Sequence, residues 1–265
     1  AIYDTIVVWE DDRNGNWDIF GYNLSTGEEF QITQDPYDQA SPAIYDTIVV
    51  WADNRNGNWD IYRYDLSTGE EFQITRNSNA QEYPAIYDTI VVWEDDRNGN
   101  WDIYAYNLST QQEFRITTDE NDQDSPAIYG DIVIWTDDRN GNPDIFGYNL
   151  STGEEFQITQ DLHDQVDSAI YGDIVVWTNY DNQNWDIHGY NLSTGEEFPI
   201  TTRSGDRMGP AIYKDVVVWQ ENGDIYGCIL QPLEIPETQE EKGFCLGTQL
   251  LPTLITASFL IMQKK

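Results

Sequence analysis

The stretch DDRNGNWDI, residues 11 to 19, places an acidic residue or an asparagine at every second position: Asp12, Asn14, Asn16 and Asp18. Oxygen-bearing side chains at that spacing can wrap a hard cation such as Ca²⁺. They can equally hold a tight turn between two strands, for which Asn14-Gly15 is the signal. On a two-residue hairpin centred there, Trp9 faces Phe20 and Asp11 faces Asp18. Two carboxylates then meet, and Arg13, on the same sheet face as Asp11, is the positive group at hand. The glycine does not stand where the loop D-x-[DN]-x-[DN]-G requires it. The leading expectation is therefore a turn with an exposed Arg-Asp bridge worth at most about 1 kcal/mol. Ca²⁺ at Asp12, Asn14, Asn16 and Asp18 is the alternative, and no other cofactor is expected.

The elements that carry this stretch recur. Related letters begin at Asp53, Asp95 and Asp137, and the segment AIY starts at Ala1, Ala43, Ala85, Ala127, Ala169 and Ala211, always 42 residues apart. Such a period signals a solenoid, propeller or array. Within a copy, AIYD, TIVVWEDD, WDIFGYNLS and EEFQIT are short, β-branched and aromatic, bounded by Asn-Gly and Thr-Gly turns, and no window has helical periodicity. Four strands per repeat of this length make a propeller blade, whose sheet is covered on both faces and so tolerates IVVW. The expectation is an all-β, six-bladed β-propeller with four-stranded blades over residues 1–232. The sixth copy lacks an EEFQIT segment, so the last blade is incomplete, with three strands or a weak fourth from residues 233–235.

The order AIY, IVVW, DIYxYxLSTGEEFQIT resembles the TolB-like six-bladed propeller repeats. It is most similar to tandem repeats of surface proteins of methanogenic archaea of the Methanosarcina type. The resemblance covers about residues 1 to 230. It implies a cell-surface or extracellular location and a binding, adhesion or protein-interaction role. Propellers also serve as enzymes, here a polysaccharide lyase or hydrolase with its site at the channel mouth, or as structural envelope arrays.

Up-and-down blades put DDRNGN on the same end as the blade-to-blade connectors TQDPYDQAS, TRNSNAQEY, TTDENDQDS, TQDLHDQVD and TTRSGDRMG, the most divergent parts of the repeat. A protein or carbohydrate ligand is expected on that face. Trp17, Trp59, Trp101 and Trp185 flank the hairpins and can stack sugars or pack across the hairpin. Trp9, Trp51, Trp93, Trp135, Trp177 and Trp219 belong to the interblade core. His163, between Asp161 and Asp164, is the remaining rim candidate, as a metal ligand, an acid-base partner or a solvated loop residue. His188 replaces a Phe/Tyr strand position, and no catalytic set stands out. At the opposite end, Asn23, Asn107, Asn149 and Asn191 head N-x-S sequons, which are glycosylation sites in an exported chain or simply good turn residues.

With 13 Lys plus Arg against 48 Asp plus Glu the formal net charge is −35, which repels polyanions and excludes nucleic acid as the expected partner. Only two cysteines occur, Cys228 and Cys245, both outside the complete repeats. Residues 233–265 form a tail: an acidic spacer, the apolar run 246–262, then Lys264 and Lys265. The tail reads as a surface anchor or as a frayed end. A monomer is expected, with membrane contact only through that tail.

Overall fold

Residues 1–181 and 183–230 are described in the computed structural model of the protein. Among them the regular elements are antiparallel strands, gathered into six sheets, five of four strands and the last of three. Within each sheet the strands follow chain order, as an up-and-down blade requires. The fold is an all-β six-bladed β-propeller, as the repeat period implies. The tail, including the strand expected at residues 233–235, the apolar run 246–262 and Cys245, lies outside the described residues. Cys228 is buried.

The chain divides into two compact units, Ala1–Arg139 and Asn140–Lys265. In the first unit, each later blade opens with a seven-residue strand such as Gln39–Tyr45 or Gln81–Tyr87. Each of these carries a bulge just before its proline, where Ser41, Tyr83 and Ser125 adopt φ of 53°, 48° and 52°. The bulge removes proline from the ladder it cannot join. The second strands, Ile6–Asp11, Ile48–Asp53 and Ile90–Asp95, pair with the third strands in the expected register: Trp9 opposite Phe20, Asp11 opposite Asp18. Apolar residues from both faces of these strands meet across neighbouring sheets. Val8, Ile19, Ile44, Trp51 and Tyr62 form one core, and Val50, Ile61, Ile86, Trp93 and Tyr104 the next. The inner ends carry a tyrosine ladder, Tyr3–Tyr45–Tyr87–Tyr129, with ring centroids 4.7 to 4.8 Å apart.

The second unit repeats the arrangement. Val176, Ile187, Ile200, Val217 and Trp219 pack between the fifth and sixth sheets. The sixth sheet consists of Arg207–Tyr213, Val216–Glu221 and Asp224–Ile229. Its hairpin turns on Asn222 and Gly223, both at positive φ, the two-residue turn expected of Asn-Gly.

Candidate functional site at the hairpin and connector loops

The hairpin at residues 11–19 differs from the expected two-residue turn. Pairing stops at Asp11 and Asp18, and residues 12–17 form a loop in which the Gly15 N–H donates to the Asp12 carbonyl at 3.0 Å. Gly15 follows at φ 103°, a conformation a side chain would strain. The loop flares because Arg13 folds back onto its own strand instead of pairing across the hairpin. In the fifth copy, which has no arginine here, pairing continues to Asp181 opposite Asn184.

The Arg-Asp bridge exists, but it is not exposed. Asp53, Asp95 and Asp137 are 0% exposed. Arg97 grips Asp95 with two bonds, Nε to Oδ1 at 2.8 Å and Nη2 to Oδ2 at 2.5 Å, and reaches Glu113 with Nη1 at 2.6 Å. Its guanidinium lies 4.2 Å from the Tyr104 ring centroid, and the Trp93 indole N–H donates to the same Asp95 carboxylate at 3.1 Å. Arg55 makes the same set with Asp53, Glu71, Tyr62 and Trp51. The indole, ring and second carboxylate come from three different strands, so the sequence spacing of Asp and Arg alone did not reveal the burial. In the first copy the pair is more open. There the Arg13 hydrogen bond holds the Asp11 carboxyl below its usual range.

Of the four alternating residues, the structure brings three together. Asn14 Nδ2 donates to Asp18 Oδ2 at 3.0 Å, and Gln31 Nε2 donates to the same oxygen at 3.0 Å. Asn16 Nδ2 reaches across to the connector, to the carbonyls of Asp35 at 3.0 Å and Tyr37 at 2.7 Å, and lies 3.4 Å from Asp18 Oδ1. Asp12 contributes only its backbone carbonyl to the turn. Asn58, Asn100 and Asn142 bond the same two connector carbonyls in their copies. Gln39 N–H closes the junction onto the Trp17 carbonyl at 2.7 Å. Hairpin and connector thus form one bonded edge on each of these blades, as strand topology implied.

On the edge of the first unit Trp17 is 43% exposed and Tyr37 54%, and in a connector of the second unit Leu162 is 89% exposed. Trp59 packs against the core of its blade, and Trp185 packs across its hairpin on Tyr180 in a tilted arrangement, centroids 5.0 Å apart. Trp101 is half-buried. His163 Nδ1 lies 2.9 Å from Asp161 Oδ1. Burial would raise the Asp161 carboxyl, but the bonds from His163 hold it below its usual range. Sequence reasoning missed Tyr83, whose side chain is exposed although its backbone sits at positive φ. Partial desolvation and then the carboxylates of Glu94, Glu82, Glu10 and Asp124 push its phenol upward. The signal was available: QEYPAIY departs from QASPAIY and QDSPAIY. Glu94, buried and accepting the Ser125 N–H at 2.9 Å, is pushed up to about 7 by burial first.

At the opposite end, Asn23 Oδ1 accepts the N–H groups of Ser25 and Thr26 at 2.9 and 3.2 Å, and Asn107, Asn149 and Asn191 do likewise. The turn uses the amide oxygen and not the nitrogen that a glycan would take. Asp65 builds the same turn without a sequon.

Among the described residues, no three His, Cys, Asp or Glu side chains converge as a metal centre, and no helix is long and apolar enough to cross a membrane.

Sheets and loops together define a six-bladed β-propeller. The chain is similar to TolB from Acinetobacter baumannii, with a TM-score of 0.65 at 21% identity over 85% of this chain. It spans 60% of the length of that TolB. An oligogalacturonate lyase in complex with manganese matches with a TM-score of 0.64 at 14% identity, over 85% of this chain and 71% of the lyase. A chain of a nidogen–laminin complex matches with a TM-score of 0.61 at 14% identity, over 84% of this chain and 88% of that one. At such identities these likenesses establish the fold. No family model and no curated protein matches the chain.

Proposed function

We propose that this propeller acts outside the cell, at a cell surface, as a binding or adhesion module of the kind found in methanogen tandem-repeat surface proteins, using its hairpin and connector edge. The observation that carries this reading is the bonding of each hairpin to the following connector. It holds Trp17 and Tyr37 on a preorganised edge of the first unit, and large exposed aromatic side chains on such an edge suit a protein or carbohydrate ligand. The net charge of −35 and the four sequons support an exported, soluble surface. The TolB and nidogen–laminin likenesses make protein ligands the first class to test. The His163–Asp161 pair and the lyase likeness favour a second reading, cleavage of an acidic polysaccharide.

The test is a binding screen against cell-wall glycans and envelope proteins, run with the wild type and with Trp17→Ala/Tyr37→Ala. A ligand whose affinity falls at least about tenfold in the double variant, a loss of about 1.4 kcal/mol or more, supports the reading. Equal binding by both proteins removes the rim from the argument. Release of unsaturated uronate from polygalacturonate, abolished by His163→Ala, would replace binding with catalysis.

A further inference from the structure

The cage that Asn16 enters has more oxygen than its amide can satisfy. Asp18 Oδ1, the carbonyl of Trp17 and the carbonyls of Asp35 and Tyr37 all lie within 3.4 Å of one nitrogen that carries two hydrogens. A second amide, Gln39, presses on the same Tyr37 carbonyl at 2.5 Å. Gln39 is 0% exposed and its Oε1 has no partner, and the same holds for Gln81, Gln123 and Gln165 at the equivalent places. With no donor to that oxygen, nothing fixes which way the amide faces in any of the four copies.

The fifth junction shows what this oxygen set accepts. Arg207 stands where the glutamines stand, and its Nη1 bonds Asp186 Oδ1 at 2.9 Å, the Arg203 carbonyl at 2.7 Å and the Gly205 carbonyl at 3.1 Å. These are the counterparts, 168 residues on, of Asp18 Oδ1 and the carbonyls of Asp35 and Tyr37. A positive charge therefore occupies this cage in one copy. The third copy supplies its own by another route, since Arg115 replaces the glutamine of Gln31 and Gln73 and donates to Asp102 Oδ1 at 2.8 Å. In the first two copies no cationic side chain among the described residues pairs with Asp18 or Asp60, although both carboxylates are buried.

The geometry points to a Ca²⁺ site in each of the first two hairpin–connector junctions. The first is built from Asp18, the amide oxygens of Asn16 and Gln39 and the carbonyls of Asp35 and Tyr37; the second from Asp60, Asn58, Gln81 and the carbonyls of Asn77 and Asn79. The two amides turn oxygen toward the carbonyls, an orientation that heavy-atom positions do not distinguish from the reverse. Amide-to-carbonyl separations of 2.5 to 3.0 Å in these copies suit neighbouring ligands of one ion. Two oxygens about 2.4 Å from Ca²⁺ and about 72° apart are about 2.8 Å from each other. With one carboxylate per ion, affinity falls in the extracellular-module range, on the order of 10⁻⁴ to 10⁻³ M. Asn142, Asp144 and Gln165 place a third set of the same types in the fourth copy.

Calorimetric titration of the whole chain with CaCl₂, with Tb³⁺ emission sensitised by Trp17 and Trp59 as a second readout, tests this. The wild type should bind at least two ions, and Gln39→Arg and Gln81→Arg, which copy Arg207, should each remove one while circular dichroism stays unchanged. A third variant separates an ion site from a plain amide clamp without depending on the arginine substitutions. Asn16→Asp should bind Ca²⁺ at least tenfold tighter and melt higher with Ca²⁺ than without it. No saturable binding at millimolar Ca²⁺, an unchanged stoichiometry in the folded Gln→Arg variants, or an Asn16→Asp chain equally destabilised with and without Ca²⁺ would each overturn the proposal.

Discussion

In the third blade Trp93, Asp95, Arg97, Tyr104 and Glu113 form one continuous arrangement of indole, carboxylate, guanidinium, ring and second carboxylate. In the fifth blade the same five places hold Trp177, Asn179, Asp181, His188 and Glu197. The arginine is gone, and with it the buried carboxylate it neutralised. Glu197 now meets His188 Nδ1 at 2.9 Å, where the first three blades offer the equivalent glutamate a guanidinium. The Trp177 indole N–H, robbed of its aspartate, is left buried without an acceptor. The exchange thus removes a buried ion pair and leaves one indole N–H without its acceptor.

The largest effect expected from breaking this comparison is at Arg97. Arg97→Ala leaves Asp95 charged and buried and should cost about 3 to 5 kcal/mol in urea unfolding. Arg13→Ala should cost no more than about 1 kcal/mol, because the side chains of that pair are 40% and 19% exposed. Transplanting the fifth-blade solution, Asp95→Asn/Arg97→Asp/Tyr104→His, should cost less than Arg97→Ala alone. Equal losses at Arg13 and Arg97, or a triple variant worse than the single one, would show that burial does not set the energy.

Glu94 contrasts with its second-blade counterpart Ala52. Its folded pKa of about 7 lies above the ordinary 4.5, so the folded chain keeps a proton that the unfolded chain releases. Stability should therefore fall as pH rises from about 4.5 to about 7, by up to roughly 3 kcal/mol. Glu94→Gln should flatten that slope in melts recorded across the window, and an unchanged slope would assign it elsewhere.

A smaller gain is expected at Tyr83. A non-glycine residue at φ 48° is strained by about 1 kcal/mol, so Tyr83→Gly should raise stability by about that amount while Ser41→Gly raises it less. Smallest of all is Asp65→Asn, which restores a sequon to the second blade. Because Asp65 already makes the turn, the change should stay within about 0.5 kcal/mol; a larger loss would mean that its charge matters beyond the turn.

Strand order, blade count and the register of Trp9 opposite Phe20 were legible because they depend on alternation and on a period that never slips. The burial of Asp95 was not legible, since the groups that cover it come from strands separated by turns. The cage around Asn16 was less legible still. Two of its oxygens are backbone carbonyls 19 and 21 residues away, and a carbonyl has no letter of its own. One trace did exist in the sequence: Gln39, Gln81, Gln123 and Gln165 yield to Arg207 at the last junction, a change of charge at an otherwise constant place.

Arg207 has a further consequence for how such a chain finds its own partners while folding. Segments this alike can dock with the wrong copy, one whole period out of step, and repeat proteins misassemble in this way. The Arg207 guanidinium ties Asp186 in the fifth sheet to Glu221 in the sixth, at 2.9 and 3.1 Å. A wrong copy docked against the fifth sheet would bring Gln39, Gln81, Gln123 or Gln165 to Asp186 in place of Arg207, and Asp186 then loses its cation. The last junction thus carries an address that the interchangeable earlier blades lack, and the penalty for misdelivery is a buried charge without its counterpart.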